Sequence, residues 1–253
     1  MMPYVDQVEV RGGTSWMAEV PAVKALAGLG VAGLGAAEFG SAEFTHPVTI
    51  ITGENGVGKS TILEAIAVNA GFDVNGGAYV DPQDSVESLL ENPLEDSLRG
   101  AVSIRRGPLP MYGYFLRAET HFNVATDVWT QPSGWINHHQ MSHGESVMHT
   151  IQDVFTDQGL YLLDEPEAGL SFIRQMAILA ELYTLGREGS QIIMVTHSPI
   201  LLAIPGADIW EFTDEGEFRR GLDVEETTAF RALRDFLDDP ETIAEFMVDV
   251  TDM

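Results

Sequence analysis

Val48-Thr49-Ile50-Ile51-Thr52-Gly53-Glu54-Asn55-Gly56-Val57-Gly58-Lys59-Ser60-Thr61 is the stretch that decides the fold. Its first half, from Pro47 to Thr52, is apolar and mostly β-branched and reads as a short buried strand. From Gly53 to Ser60 it fits G-x-x-x-x-G-K-[ST]. Glycines let a backbone curl until consecutive N–H groups converge on one anion. From Lys59 the pattern turns helical, with Ile62, Leu63, Ile66 and Ala67 on one face and Gly71 as the stop. That helix would aim its positive end at the same anion. Strand, loop and helix together predict a phosphate-binding unit. Gly53, Glu54, Asn55, Gly56, Val57, Gly58 and Thr61 frame it, Lys59 places a charge near the outer phosphates, and the Ser60 hydroxyl is a candidate Mg²⁺ ligand.

Two further strands end in polar residues. Leu160 to Leu163 is apolar and runs into Asp164-Glu165. In an open parallel sheet ligands sit at the carboxyl ends of strands, so Asp164 is expected to reach the Mg²⁺ held by Ser60. Glu165, one residue on, points elsewhere and is the candidate catalytic base for the water attacking the γ-phosphate. Gln191 to Thr196 is a second such strand, ending in His197, a candidate for holding that water or touching the γ-phosphate. Met141-Ser142-His143-Gly144-Glu145-Ser146 opens a helix, with Ser142 and Glu145 spaced as a capping box. The same exposed helix start, Ser142 and Gly144 in particular, is able to bind a phosphate.

Around these segments the chain alternates. A first strand is expected over Tyr4 to Val10, a Gly-rich stretch of open conformation over Ala25 to Gly40, and a short helix near Ser85 to Leu90. Strands at Ala101 to Arg105 and Tyr112 to Arg117 flank the turn-like Gly107-Pro108. Helices follow over Ser146 to Phe155 and Leu170 to Leu185. A terminal hairpin spans Asp208 to Thr213 and Glu217 to Arg220, and two acidic helices cover 225–238 and 240–250, the second with Pro240 at its first position. This predicts one α/β domain over 1–253, with a mainly parallel central sheet flanked by helices, an additional antiparallel region, a core over about 48–213 and an acidic helical segment over about 222–253.

Composition narrows the function. Among 253 residues, 39 acids face 13 Lys and Arg, for a net charge of −26. Unaided binding to nucleic acid or to an anionic membrane is therefore not expected, since phosphate contacts need Lys and Arg. The absence of cysteine excludes disulfides, Cys-zinc sites and a Cys nucleophile. Apolar runs are too short to span a bilayer, and the first residues lack the pattern of a secretory signal, so the cytoplasm is the expected location. His121, His138, His139, His143 and His149 crowd one region without a metal-ligand spacing. The acidic residues after 206 read as a solvated surface, a docking face for a basic partner or an adaptation to salt.

Phosphate loop, Ser142 segment, Asp164-Glu165 and His197, in that order, resemble the ABC-type ATPases; 22 positions separate Ser142 from Asp164 and 33 separate Asp164 from His197. Gly53-Glu54-Asn55-Gly56, Leu163-Asp164-Glu165-Pro166-Glu167-Ala168-Gly169-Leu170-Ser171 and Thr196-His197-Ser198-Pro199 resemble SMC-like and RecF-like heads and small stand-alone bacterial AAA-family ATPases more than transporter subunits. The resemblance implies an Mg-dependent, slow ATPase that dimerises around ATP as a mechanical or regulatory switch. ATP would lie between the phosphate loop of one copy and Ser142-His143-Gly144 of the other, with Glu167 to Leu170 crossing the interface. Alternatives are a nucleotide-gated module controlling a separate effector protein, as in defence or repair assemblies, and a transporter nucleotide-binding subunit. The chain departs from the family at His143, where Gly is usual, and lacks a coiled-coil insertion. Glu119 stands in for the Q-loop glutamine, Phe39 and Phe44 are candidates for stacking on the base, and Arg11 for approaching the nucleotide.

Overall fold

The computed structural model describes residues 2–11, 16–29, 39–81, 98, 100–118, 143–156 and 158–251, with the backbone alone for Arg11, Phe39, 143–145 and Thr251. The expected helix near Ser85, the Ser142 cap and Glu119 lie outside the described residues.

Seven strands form the main sheet, in the order β10-β9-β3-β8-β7-β6-β4. They are β3 (Val48–Gly53), β4 (Gly77–Ala78), β6 (Gly113–Arg117), β7 (Leu160–Asp164), β8 (Gln191–Val195), β9 (Asp208–Phe212) and β10 (Phe218–Arg220). The five inner strands are parallel and the edge strands β4 and β10 antiparallel. The inner strands are apolar on both faces because both faces are covered. Ile51, Phe115, Leu162, Ile193 and Val195 face one cluster, while Ile50, Leu116, Leu163, Ile192 and Met194 face the other.

A smaller antiparallel sheet runs β2-β1-β5, made of β1 (Val5–Arg11), β2 (Phe39–Glu43) and β5 (Val102–Arg106). The strands flanking Gly107-Pro108 thus do not pair with each other: β5 joins the small sheet and β6 the large one. Helix α1 (Pro21–Ala27) packs on β2 and β1. Helix α2 (Lys59–Ala70) lies between the two sheets, touching β5 on one side and β8 and β7 on the other. It is buried on more than the one face its spacing suggests, with Ala65 and Val68 as enclosed as Ile62 and Ile66. Gly71 ends it in the left-handed conformation, as expected.

Gln191 joins the two sheets. Its Oε1 accepts from the backbone N–H of Tyr4 and Val5 at 2.8 and 2.9 Å, and its Nε2 donates to the Val5 carbonyl at 2.8 Å. The far face of the main sheet carries α3 (His143–Asp153) and α4 (Phe172–Glu188), which bury Val147, Ile151, Ile178 and Leu182. Ser171 caps α4, and Gly189 closes it in the left-handed region. The chain ends in α5 (Thr228–Asp238) and α6 (Pro240–Thr251), both close to the expected spans. No described side chain in 228–250 is buried.

Candidate functional site

The site lies where β3, β7 and β8 end together. Parallel register sets Asp164 opposite Arg117 on one side and Val195 on the other, so Ala118, Glu165 and Thr196 follow at the same edge. Gly53 closes β3 at φ +132°, and a Cβ there would fall 1.9 Å from the Phe212 carbonyl of β9. Only glycine lets the loop leave the sheet at this point. Gly58, at φ +96°, precedes α2, and no side chain caps the first N–H groups of that helix. Those donors are the ones a bound anion satisfies. The Val57 side chain is buried, and the Val57 carbonyl accepts from Ala22 N–H at 2.8 Å, so α1 holds the loop from behind.

Lys59 is only 5% exposed, and its Nζ donates to the Glu54 carbonyl at 2.7 Å. Burial pulls its pKa down, while Glu165, Glu54 and Asp164 pull it up. Ser60 Oγ donates to Asp164 Oδ1 at 2.8 Å, across 104 residues of sequence. A cleft of about 360 Å³ opens here, lined by Ser60, Glu64, Arg117, Ala118, Asp164, Glu165 and Ala168. A hydroxyl and a carboxylate side by side fit Mg²⁺, which is usually held by one or two protein oxygens together with phosphate and water.

Glu165 has φ +49°, the positive value found at no other non-glycine among the described residues. Such strain collects at functional sites, where surrounding bonds over-determine it. Here the Glu165 N–H donates to the Val195 carbonyl at 2.9 Å and its own carbonyl accepts from Ala168 at 3.0 Å. The turn aims its carboxylate toward His197, whose Nε2 lies 3.7 Å from Glu165 Oε1. That is an electrostatic contact too long for a hydrogen bond. Burial first, then Lys59, push the His197 pKa down, against Glu165 and Glu54. The balance favours a neutral imidazole.

Two residues steady the turn that carries this histidine: Glu167, expected only in the segment implied to cross the interface, and Gln175, which the sequence reading did not single out. Glu167 Oε1 accepts the His197 N–H at 2.7 Å, and burial raises the Glu167 pKa. Gln175 accepts from Ser198 Oγ at 2.6 Å and donates to the Leu170 carbonyl at 3.0 Å. Gln175 could have been found: it stands on the α4 stripe with Ile178, Leu182 and Leu185, a polar residue on an apolar face. The motif around Glu167 is legible in the sequence, but nothing in it points to the bond with the His197 N–H.

The structure therefore brings together Gly53 to Thr61, Asp164, Glu165 and His197. Gly144 belongs to α3. Phe44 is corrected: it is 4% exposed and stacks on Trp210 with ring centroids 5.0 Å apart, filling the core instead of facing a base. The side chains of Phe39 and Arg11 are outside the described residues. His149 contacts Asp153 within its own helix at 3.1 Å, and no cluster of metal-ligating side chains occurs among the described residues. No described helix is long and apolar enough to cross a membrane.

Two family models match the chain. One, described as an AAA domain, covers residues 33–102 and so includes the glycine loop; the other, an AAA domain, putative AbiEii toxin of a Type IV TA system, covers 119–203 and includes Asp164 and His197. The ABC transporter G family member STR2 of Medicago truncatula is 25% identical over 176 residues, 60% of this chain and 24% of that protein. A putative ABC transporter ATP-binding protein of Staphylococcus aureus (strain COL) is 27% identical over 177 residues, 60% of this chain and 29% of that protein. The match thus spans less than a third of the length of these relatives. A solved ATP-binding cassette of an ABC transporter, MJ1267, superposes with a TM-score of 0.38 at 16% identity, over 81% of this chain and 90% of its own.

Proposed function

We propose that the chain is an ABC-type ATPase head that binds Mg-ATP, closes on a second copy around the nucleotide and hydrolyses it as a mechanical or regulatory switch. The observation that carries this is the convergence of Lys59, Ser60, Asp164, Glu165 and His197 on one sheet edge beside an uncapped helix start. In this reading the N–H groups from Gly56 to Thr61 cradle the β- and γ-phosphates. Lys59 swings from the Glu54 carbonyl to the phosphate oxygens and exchanges one acceptor for a charged one. Ser60 and Asp164 would hold Mg²⁺, which supplies charge neutralisation at the phosphates. Glu165 takes the proton of the attacking water, and neutral His197 orients that water or donates to the γ-phosphate. The His197 backbone N–H is held by Glu167, so the turn that carries the ring has this support without nucleotide.

Pairing with a second copy is supported by the start of α4. Phe172, Ile173 and Met176 are 65%, 79% and 56% exposed directly after the Ala168-Gly169 turn that borders the cleft. An apolar cluster beside a polar site is the usual mark of an interface. Ser142 and Gly144 of the partner copy would then approach the γ-phosphate.

Turnover of the purified chain with Mg-ATP tests the proposal. Wild type should release phosphate, and Glu165→Gln should bind ATP and double its mass in light scattering. Absence of heat on titrating ATP with Mg²⁺ would overturn it. A second reading, a transporter nucleotide-binding subunit, is favoured by the similarity to two ABC transporter proteins. It predicts ATP turnover that rises on addition of a co-purifying membrane protein. Control of a separate effector would show as effector activity that responds to Glu165→Gln.

A further inference from the structure

Helix α6 is apolar on every side but one. Glu241, Glu245 and Asp249 recur at every fourth position and form a single acidic stripe, while Ile243, Ala244, Phe246, Val248 and Val250 occupy the remaining faces. A helix of that pattern is normally enclosed. Here Phe246, Met247, Val248 and Val250 are 61%, 56%, 61% and 46% exposed, and on α5 Phe236 and Leu237 are 44% and 67% exposed. Isolated apolar side chains on a surface need no explanation, but six on two adjoining helices do.

The pair is also firmly based. Glu211 on β9, itself buried, accepts the Thr228 N–H at 2.7 Å and pairs with Arg219 at 2.7 Å. A capping box at Asp223 and Glu226 and the Thr227 cap fix the entry to α5. The start of α5 therefore has a defined position on the sheet, and α6 packs on α5.

Charge selects among the possible occupants. Between residues 223 and 250 there are nine carboxylates and two arginines. A second copy would bring the same acidic stripe against itself, and nucleic acid or an anionic membrane would bring phosphates. A segment with apolar side chains and Lys or Arg spaced like the stripe satisfies both features. We propose that the α5–α6 pair is a docking surface for a basic amphipathic helix of a partner protein, which lies across it as a third helix.

This docking is independent of the nucleotide reading, because no residue of the pair lines the cleft. The test has two arms, both on the full chain. In the first, fluorescence anisotropy follows a labelled 18-residue helical peptide of Leu and Lys, with a sequence-scrambled twin of equal charge as control. The patterned peptide should bind about 10-fold or more tighter than its twin, and weaken by about 10-fold or more in the combined Glu241→Lys, Glu245→Lys, Asp249→Lys variant. Phe246→Ser should weaken it as well, with ATP turnover unchanged. Equal binding of the two peptides, or binding unaffected by charge reversal, overturns the proposal. In the second arm, a benzophenone amino acid at position 246 is photolysed in cells. An adduct on a basic helical segment of another protein, lost in the charge-reversed variant, supports it. An adduct on a second copy, on an acidic or neutral segment, or no adduct, overturns it.

Discussion

The cleft at the sheet edge and the helix pair at the end of the chain both concentrate carboxylates, yet they are built differently. In the cleft, Ser60 and Asp164 meet across 104 residues, and Glu165, Glu167 and His197 each engage another group from a distant strand or turn. In the helix pair the charged groups are neighbours in sequence, exposed, and joined by one exposed ion pair, Arg234–Asp235 at 3.6 Å, among the described residues. Exposed pairs of that kind contribute about 0–1 kcal/mol. Charge density alone therefore says little about chemistry. What marks a reactive site is the meeting of groups that the fold had to bring together, in surroundings that shift their proton affinity.

Changing single residues puts this contrast to the test. Glu165→Gln should have the largest effect, lowering turnover by about 10²- to 10⁴-fold with ATP binding kept, the scale of removing a positioned base. A loss of less than tenfold would put the base elsewhere. Lys59→Ala should weaken ATP binding about 100-fold in calorimetry, because a buried, charge-assisted contact to phosphate is lost.

His197→Ala should lower turnover about 10- to 100-fold and change its pH profile. The lowered His197 pKa means that the folded chain takes this proton only below the ordinary 6.5. The acidic limb of wild-type turnover should therefore fall below pH 6.5, and the variant should lose it. Because the unfolded chain takes the proton first, stability should also decline as pH drops through 6.5.

Glu167 separates holding from reacting. Glu167→Ala strands the His197 N–H and should cost about 1–3 kcal/mol in urea unfolding. Glu167→Gln keeps the acceptor and removes a carboxylate whose raised pKa favours the protonated form, so at pH 8 it should be as stable as wild type or more so. At the far end of the scale, Glu245→Lys should change stability by no more than about 0.5 kcal/mol and leave turnover alone. A large effect there would erase the contrast between the two regions.

The readable parts of the site were those whose signal is local. An apolar run ending in Asp164-Glu165, a glycine pattern ending in Lys59-Ser60 and a β-branched run ending in His197 each announce a strand end, and a parallel sheet aligns strand ends. Pairing between strands is not local, and so β5 and β6, drawn together by the turn between them, turned out to serve different sheets. Aromatic identity gave no sign that Phe44 would stack on Trp210, because a ring that packs and a ring that recognises look alike in one dimension. The bond from the His197 N–H to Glu167 is likewise invisible until the turn after β7 is folded.

Gln191 has a mechanical consequence. With both its oxygen and its nitrogen committed to Tyr4 and Val5, the small sheet is clamped to the start of β8, and five residues later the same strand delivers the turn that carries His197. Extended backbone rises about 3.3 Å per residue, so no more than about 20 Å of chain separates the clamp from the histidine. The small sheet and the His197 turn are thereby joined through one short central strand.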